Sequence, residues 1–434
     1  MNVVVASSGI ASQLIPGGRT AHSRFCIPIK CNEESTCHIV QGSDLAELLI
    51  HTTLIIWDEA PMTHRFCFEA LDRTLRDIMR FKDPDSLIKP FGGKVVVFGG
   101  DFRQILPVIP RGSRQDIVLA TLNASYIWST CRVLNLTKNM RLQSGQSTEE
   151  IQSVGEFSQW LIDVGDGKIG CSLSDDQFEI DIPNDILLKD YKDPIKSIAE
   201  STYPDFSSKY QDHDYFRDKA ILAPTLEDVS AVNQYLLDSM PGDEKIYLSS
   251  DSICRHDENA DYMGEVYTTE FLNSINGSGL PYHQLRLKIG APIMLLRNID
   301  KSIGLCNGTR LVVTRMSQRV IEGVVLSGKA AGLKVLIARY VITPSDSKLP
   351  FSFQRRQFPV VLSFAMTINK SQGQSLASVG LYLPRPVFTH GQLYVALSRV
   401  RSRSGIKVLI CNKSDDKVDK AINVVYREVY QNVR

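Results

Sequence analysis

Residues 54–61 read Leu-Ile-Ile-Trp-Asp-Glu-Ala-Pro, an apolar run that ends in the adjacent carboxylates Asp58 and Glu59. Such a run reads as a buried strand, and the carboxyl ends of strands are where open α/β sheets hold ligands. An aspartate there suits a Mg²⁺ ion, often held through water, and the neighbouring glutamate suits orienting and polarising an attacking water. Alone, the pair equally fits a strand end followed by a helix cap. A second run, Val95–Phe98, leads into Gly99-Gly100-Asp101-Phe102-Arg103-Gln104, a glycine-permitted turn carrying an acid, an arginine and an amide. A neutral glutamine at such a place can hydrogen-bond a terminal phosphate oxygen or the lytic water. The bland alternative is a polar turn.

Three further stretches hold groups of the same kind. Leu134-Asn135-Leu136-Thr137-Lys138-Asn139-Met140-Arg141 reads as a strand that delivers an arginine at the boundary between two units, the form a cis-supplied arginine finger takes. Thr389-His390-Gly391-Gln392 fits a capping box ahead of a helix with the apolar stripe Leu393, Ala396, Leu397 and Val400. Gln392 and Arg399 are two turns apart and are expected on one face, off that stripe. Thr367-Ile368-Asn369-Lys370-Ser371-Gln372-Gly373 gathers hydroxyls, amides and a lysine in a glycine-relieved turn, as do Ala6–Ser12 and Gly17–Ser23. Such sets suit phosphodiester oxygens, contacts that position a strand without reading its bases.

These groups need rigid elements behind them. Short β-branched runs recur at Val3–Val5, Leu54–Ile56, Val95–Val97, Ile221–Leu222, Val360–Leu362, Val379–Leu381 and Val408–Ile410. Most are continuous, the pattern of strands buried on both faces, and helical periodicity lies between them: Phe66, Ala70, Leu71, Leu75 and Ile78 inward, Arg73, Arg76, Asp77 and Arg80 outward. The fold class is α/β with two parallel-sheet units. Residues 286–350 read instead as short strands and turns of a small SH3-like β-barrel inserted in the second.

Composition adds bounds. The 434 residues suffice for two or three cores, and the formal charge of +1 leaves no global electrostatic footprint for nucleic acid or an anionic membrane. No window has the length of a membrane span and no secretory leader is visible, so a chain that is not secreted is expected. Nine scattered cysteines fit reduced thiols. The one cluster, Cys26, Cys31 and Cys37 with His22 and His38, matches no familiar zinc spacing and is expected to be ordinary thiols in a surface excursion.

Taken in order, the motifs resemble those of the Pif-one DNA helicases (petite integration frequency), RecD-like superfamily-one motors, including plant and Helitron-associated relatives. The similarity runs through S-S-G-I-A-S, G-R-T-A-H-S, I-I-W-D-E-A-P-M, G-G-D-F-R-Q-I-L-P-V, L-T-K-N-M-R-L, N-G-T-R-L, T-I-N-K-S-Q-G-Q-S-L and G-Q-L-Y-V-A-L-S-R-V. The resemblance implies two RecA-like domains, ATP and Mg²⁺ as cofactors, and 5′-to-3′ movement on single-stranded DNA with opening of duplex junctions. It implies Asp58 as the Mg²⁺ ligand, Glu59 as the residue that polarises water, Gln104 as the γ-phosphate sensor, and Arg141 and Arg399 as fingers. Gly373 and Gln392 would border the nucleotide, and Thr20, His22, Ser23, Thr367, Lys370 and Ser371 would line the DNA path. A monomer is expected, in the nucleus or the mitochondrion, serving DNA repair, recombination or telomere maintenance.

One family motif is missing. G-x-x-x-x-G-K-[ST], whose amides and lysine cradle phosphates, does not occur: Gly93-Lys94-Val95, Gly167-Lys168-Ile169 and Gly328-Lys329-Ala330 lack the hydroxyl, and Asn369-Lys370-Ser371 lacks the glycine. The expectation is a first domain, residues 1–140, that lacks its N-terminal phosphate-loop strand, with the region before Leu54 weakly anchored. The second domain is expected over 141–285 and 356–434, around the barrel at 286–355. The rival reading is a truncated remnant that hydrolyses nothing and at most binds single-stranded DNA.

Overall fold

A computed structural model describes the chain apart from residues 139, 141–147, 255–266, 278, 301–302, 345–350, 412–418, 432 and 434. It forms two compact units, Met1–Asp190 with Ile368–Ala377 and Leu381–Arg434, and Tyr191–Thr367 with Ser378–Gly380. Among the described residues no helix is long and apolar enough to cross a membrane.

The first unit is built on a parallel sheet in the order β2-β1-β3-β4, from strands β1 (Asn2–Ala6), β2 (Arg19–Thr20), β3 (Leu54–Asp58) and β4 (Val95–Phe98). β1 runs beside β3 over five register pairs, from Asn2 opposite Leu54 to Ala6 opposite Asp58. Val5, Ile55 and Trp57 are fully buried, and Trp57 packs 4.4 Å from Phe68 on helix α4 (Arg65–Met79). Helices α1 (Gly9–Gln13), α2 (Ala21–Phe25) and α3 (Asp44–His51) precede it in the chain, and Phe25 of α2 and Leu49 of α3 complete the same core. The segment before Leu54 is therefore firmly placed, contrary to expectation, because β1 pairs with β3 along its whole length and α2, α3 and α4 cover the apolar side chains of both.

Three other expectations fail for physical reasons. β4 is an edge strand: Val95 and Val97 are 60% and 48% exposed, so this run is not buried on both faces. Leu134–Lys138 forms no strand, and Leu134 and Leu136 are 76% and 100% exposed; a strand-forming composition without a neighbour to pair with gives no ladder. The 26–38 segment is no free excursion, since the Cys37 amide donates to Thr74 Oγ1 (2.8 Å) and Arg73 donates to the Ser35 carbonyl (2.7 Å), both residues of α4. α4 buries Ala70, Leu71, Leu75 and Ile78 of its predicted stripe but leaves Phe66 partly exposed, with Cys67 and Phe68 buried instead, and it also buries two acids. Glu69 accepts from Ser125 Oγ (2.7 Å), and Asp72 accepts from Tyr126 Oη (2.8 Å) and pairs with Arg76 (2.9 Å).

The later part of the same unit adds an antiparallel ribbon, Lys420–Val424 against Gln177–Asp181, and the long helix Thr148–Gly165. The orphan carbonyls at that helix end find partners far along the chain: Asn423 Nδ2 on Val164 and Tyr430 Oη on Gly165, both at 2.7 Å.

In the second unit Lys219–Ala223 pairs in parallel with Ala365–Thr367, beside helices Pro194–Thr202 and Leu226–Ser239. An antiparallel sheet then joins Lys334–Ala338, Val320–Val325, Arg310–Met316, Pro292–Leu295 and Val360–Leu362, in that spatial order. Leu285 and Leu287 of the Gln284–Lys288 strand share its core. Asp251 and Arg355, both fully buried, form an ion pair (2.6 Å) that also serves the carbonyls of Leu272, Ile275 and Pro281.

Candidate functional site

The acidic pair sits where β3 ends. Asp58 is its last residue, its carbonyl accepts from the Ser7 amide (3.0 Å), and its Oδ1 accepts from the Glu59 amide (2.9 Å). Glu59 is left-handed at φ +52, a conformation that costs a non-glycine residue about 1 kcal/mol or more and that turns the chain sharply into Ala60–Met62. Thr63 Oγ1 and Trp57 Nε1 converge on Ser7 Oγ at 2.8 and 3.0 Å, locking the end of β3 to the end of β1.

β4 ends alongside. The Ala60 amide donates to the Gly99 carbonyl (2.9 Å), and a Cβ on Gly100 would collide with the Pro61 ring, which is why the turn is glycine-rich. Burial raises the Glu59 pKa, Asp58 and Asp101 push it further up, and Arg399 pulls it back. Asp58, Asp101 and Arg399 thus share one electrostatic neighbourhood around Glu59.

The Asp101–Gln104 turn is clamped from the far end of the chain. Asp101 accepts from the Arg103 amide (3.0 Å) and from Tyr394 Oη (2.7 Å), while Arg103 Nε pairs with Asp166 (2.7 Å). His390, wholly buried, accepts from the Tyr426 amide at Nδ1, so Nε2 carries the proton and donates to the Phe102 carbonyl, both at 2.8 Å. Burial lowers its pKa to about 4 and keeps it neutral. Gly391 at φ +74 lies so close that a Cβ would stand 2.7 Å from the Gln104 carbonyl oxygen. Gln104 Oε1 is buried without a hydrogen-bond partner among the described residues, an acceptor left open for a donor.

The helix Gln392–Leu397 differs from its sequence reading. Its N-cap is left-handed Gly391 with no side-chain cap bond, so there is no capping box through Thr389; Gln392 Oε1 instead accepts from the Phe388 amide (3.0 Å) and its Nε2 donates to Asn369 Oδ1 (3.1 Å). Leu393, Ala396, Leu397 and Val400 are buried as the stripe required, but Gln392 and Arg399 are buried too. The helix stops before Arg399, which removes the two-turn argument, and that guanidinium donates to the carbonyls of Val395 (2.8 Å) and Gln374 (3.1 Å).

The remaining candidates are spread out. Gly373, at φ +76, lies beside the start of α1, where its Cβ would be 3.6 Å from the Ala11 amide. Thr20 caps α2 without a side-chain bond, and His22 is held neutral by burial. Ser23 and Lys370 are partly exposed. Ser371 is buried with its hydroxyl on the Ile368 carbonyl (2.7 Å), so as placed it shapes the turn and is not presented to a ligand. Thr367 belongs to the other unit, and Arg141 lies outside the described residues. Reasoning from sequence missed Tyr394, His390 and Asp166, whose partners are 293, 288 and 63 residues away.

Among the described residues no three side chains are arranged to hold a metal ion. One carboxylate is nonetheless a common protein contribution to a Mg²⁺ that shares a nucleotide's phosphates, so Asp58 fits that part. Fold and site together define an α/β protein whose parallel strands end in carboxylates and an unpartnered amide oxygen.

Known proteins resemble this chain in sequence and in fold. The model of the PIF1-like helicase family matches residues 1–175, and that of the 2B domain of DNA helicase Pif1 matches residues 270–316. The ATP-dependent DNA helicase PIF1 of Xenopus laevis is 27% identical over 441 residues, covering 98% of this chain and 57% of that protein; the human protein is 26% identical over 421 residues, covering 94% and 54%. The chain thus spans little more than half the length of these relatives. The fold is shared with Bacteroides Pif1 bound to single-stranded DNA (TM-score 0.60, 23% identity, 94% of this chain and 82% of that one). It is shared also with Pif1 from Bacteroides in complex with ADP-AlF3 and single-stranded DNA (0.62, 22%, 99% and 84%). Residues 1–175 thus match the PIF1-like helicase family, and the chain is similar to these helicases along nearly all of its length.

Proposed function

We propose that this chain is the motor portion of an ATP-dependent 5′-to-3′ DNA helicase, coupling ATP hydrolysis to movement along single-stranded DNA and to opening of duplex junctions. The observation that carries the reading is the convergence of Asp58, Glu59 and the Asp101–Gln104 turn with Arg399 in one unit. Solved relatives hold single-stranded DNA and ADP-AlF3, which supports both ligands.

In this reading Asp58 holds Mg²⁺, which supplies charge neutralisation on the phosphates when bound. Glu59 orients the attacking water and takes its proton, a task that its raised pKa makes easier near neutral pH. Gln104 offers its open Oε1 to that water. Arg399 neutralises phosphate charge after exchanging its carbonyl partners for oxygens of the nucleotide, with Arg141 as the second finger. Gly373 and Gln392 border the nucleotide, and Thr20, His22, Ser23, Thr367 and Lys370 follow the DNA backbone, Ser371 shaping their turn. The chain acts as a monomer in nucleus or mitochondrion, in repair, recombination or telomere maintenance, with residues 1–140 as one motor domain and 141–285 with 356–434 as the other.

One observation favours a second reading, a non-hydrolysing protein that binds single-stranded DNA: the sequence has no G-x-x-x-x-G-K-[ST]. Steady-state ATP turnover by the 434-residue protein, with and without oligo-dT, separates them. The motor reading expects DNA-stimulated turnover that Glu59→Gln lowers about 100-fold or more. Turnover equal to buffer in the unsubstituted chain ends that reading, and oligonucleotide binding weakened by Lys370→Ala then supports the other.

A further inference from the structure

One pair of cysteines takes no part in the site above, although His22 of the proposed DNA path adjoins it. Cys67 on α4 has its Sγ 3.8 Å from Cys31 Sγ and 3.8 Å from His22 Nε2. Cys67 is 5% exposed, whereas Cys31 is partly open to solvent on the 26–38 segment, where its Sγ also donates to the Pro28 carbonyl (3.1 Å). The two sulfurs are 36 residues apart in the chain, one on a rigid helix and one on an irregular segment that can close the gap. A disulfide needs about 2.05 Å between sulfurs, a movement of under 2 Å that a rotamer change and a small loop shift supply.

We propose that Cys31 and Cys67 form an oxidisable dithiol, a modification site at which hydrogen peroxide converts the pair to a disulfide that staples the 26–38 segment to α4. The geometry assigns distinct roles. Burial raises the pKa of both thiols, but the Cys67 thiol points its proton at Cys31 sulfur, and this hydrogen bond and the nearby Arg73 charge offset part of the rise at Cys31, so the less buried Cys31 is the sulfur that ionises first. Cys31 thiolate attacks one peroxide oxygen; the O–O bond breaks and the departing hydroxide takes a proton to leave as water, so that Cys31 becomes a sulfenic acid. Cys67 then attacks that sulfur. Its proton passes to His22 Nε2, which burial keeps neutral and able to accept, and the sulfenic hydroxyl leaves as a second water. Two thiols and one peroxide thus give one disulfide and two waters. The Cys67 thiol itself is held strongly protonated by burial, so it serves as the resolving and not the first-attacking sulfur.

The test is independent of any nucleotide or DNA activity. The reduced 434-residue protein is titrated with hydrogen peroxide, free thiols are alkylated, and the digest is read by mass spectrometry. The expected product is a Cys31–Cys67 cross-linked peptide formed before oxidation of other cysteines, with a rise in Tm of about 5 °C from closing the loop. Cys67→Ser is expected to accumulate a dimedone-reactive sulfenic acid on Cys31, and His22→Asn to slow cross-linking about tenfold. Should Cys67→Ser not fold, Cys31→Ser is expected to abolish both the cross-link and the Tm rise. The proposal is overturned if Cys31 and Cys67 both stay alkylatable at peroxide doses that consume exposed Cys171, or if Cys31 pairs instead with another cysteine.

Discussion

His390 offers a titration that reads out the clamp on the Asp101–Gln104 turn. Its pKa is about 4 in the fold against 6.5 for the free side chain, because full burial penalises the imidazolium. Between those values the unfolded chain binds a proton that the folded one refuses, so this contribution is intact above pH 6.5 and is lost as the pH falls toward 4. From pH 7.5 to pH 5 the loss is about 2 kcal/mol, a large share of the marginal stability of a domain. His390→Gln places an amide where its oxygen can accept from the Tyr426 amide and its nitrogen can donate to the Phe102 carbonyl, without a titrating group. Urea unfolding of both proteins at the two pH values isolates the effect, since the other ionisable groups are common to both. The substituted protein is expected to start about 1 kcal/mol lower at pH 7.5, from imperfect hydrogen bonds, and to show a pH dependence about 2 kcal/mol shallower. Parallel pH profiles would refute the assignment of His390 as a buried neutral clamp.

Two further outcomes follow from packing. Arg355→Met leaves fully buried Asp251 unpaired and should cost the second unit about 3–5 kcal/mol by urea unfolding, much of it recovered in the double variant with Asp251→Leu. Val97→Lys on the exposed edge of β4 should change unfolding free energy by less than about 0.5 kcal/mol while lowering concentration-dependent light scattering; unchanged scattering would show that this edge is not where copies stick.

What the sequence revealed was local. The β-branched runs at β1, β3 and β4 and the stripe of α4 follow from periodicity, which is set by neighbours within a few residues. The turn chemistry after Asp58 and after Phe98 was readable because glycine and proline there have few other uses. What stayed hidden was decided at long range. Nothing near Tyr394 says that its hydroxyl meets Asp101, and nothing near Gln392 or Arg399 says that both are buried, since that depends on where the 368–377 turn packs. Leu134–Leu136 shows the converse, a strand-like composition that finds no neighbour. The capping-box reading failed because left-handed Gly391 sets the helix start by backbone geometry.

The first unit draws its clamp from residues synthesised long after the turn they hold. Asp101, Phe102 and Asn123 wait for Tyr394, His390 and Val429, which lie 293, 288 and 306 positions downstream. At ribosomal rates of about 5–20 residues per second that is a delay of roughly 15–60 s, during which β1, β3 and β4 can pair while the acidic turn lacks Tyr394 and His390. A nascent chain therefore exposes an unfinished sheet to chaperones and proteases over that interval, and arrival of the Lys420–Val424 ribbon is the step that closes the unit.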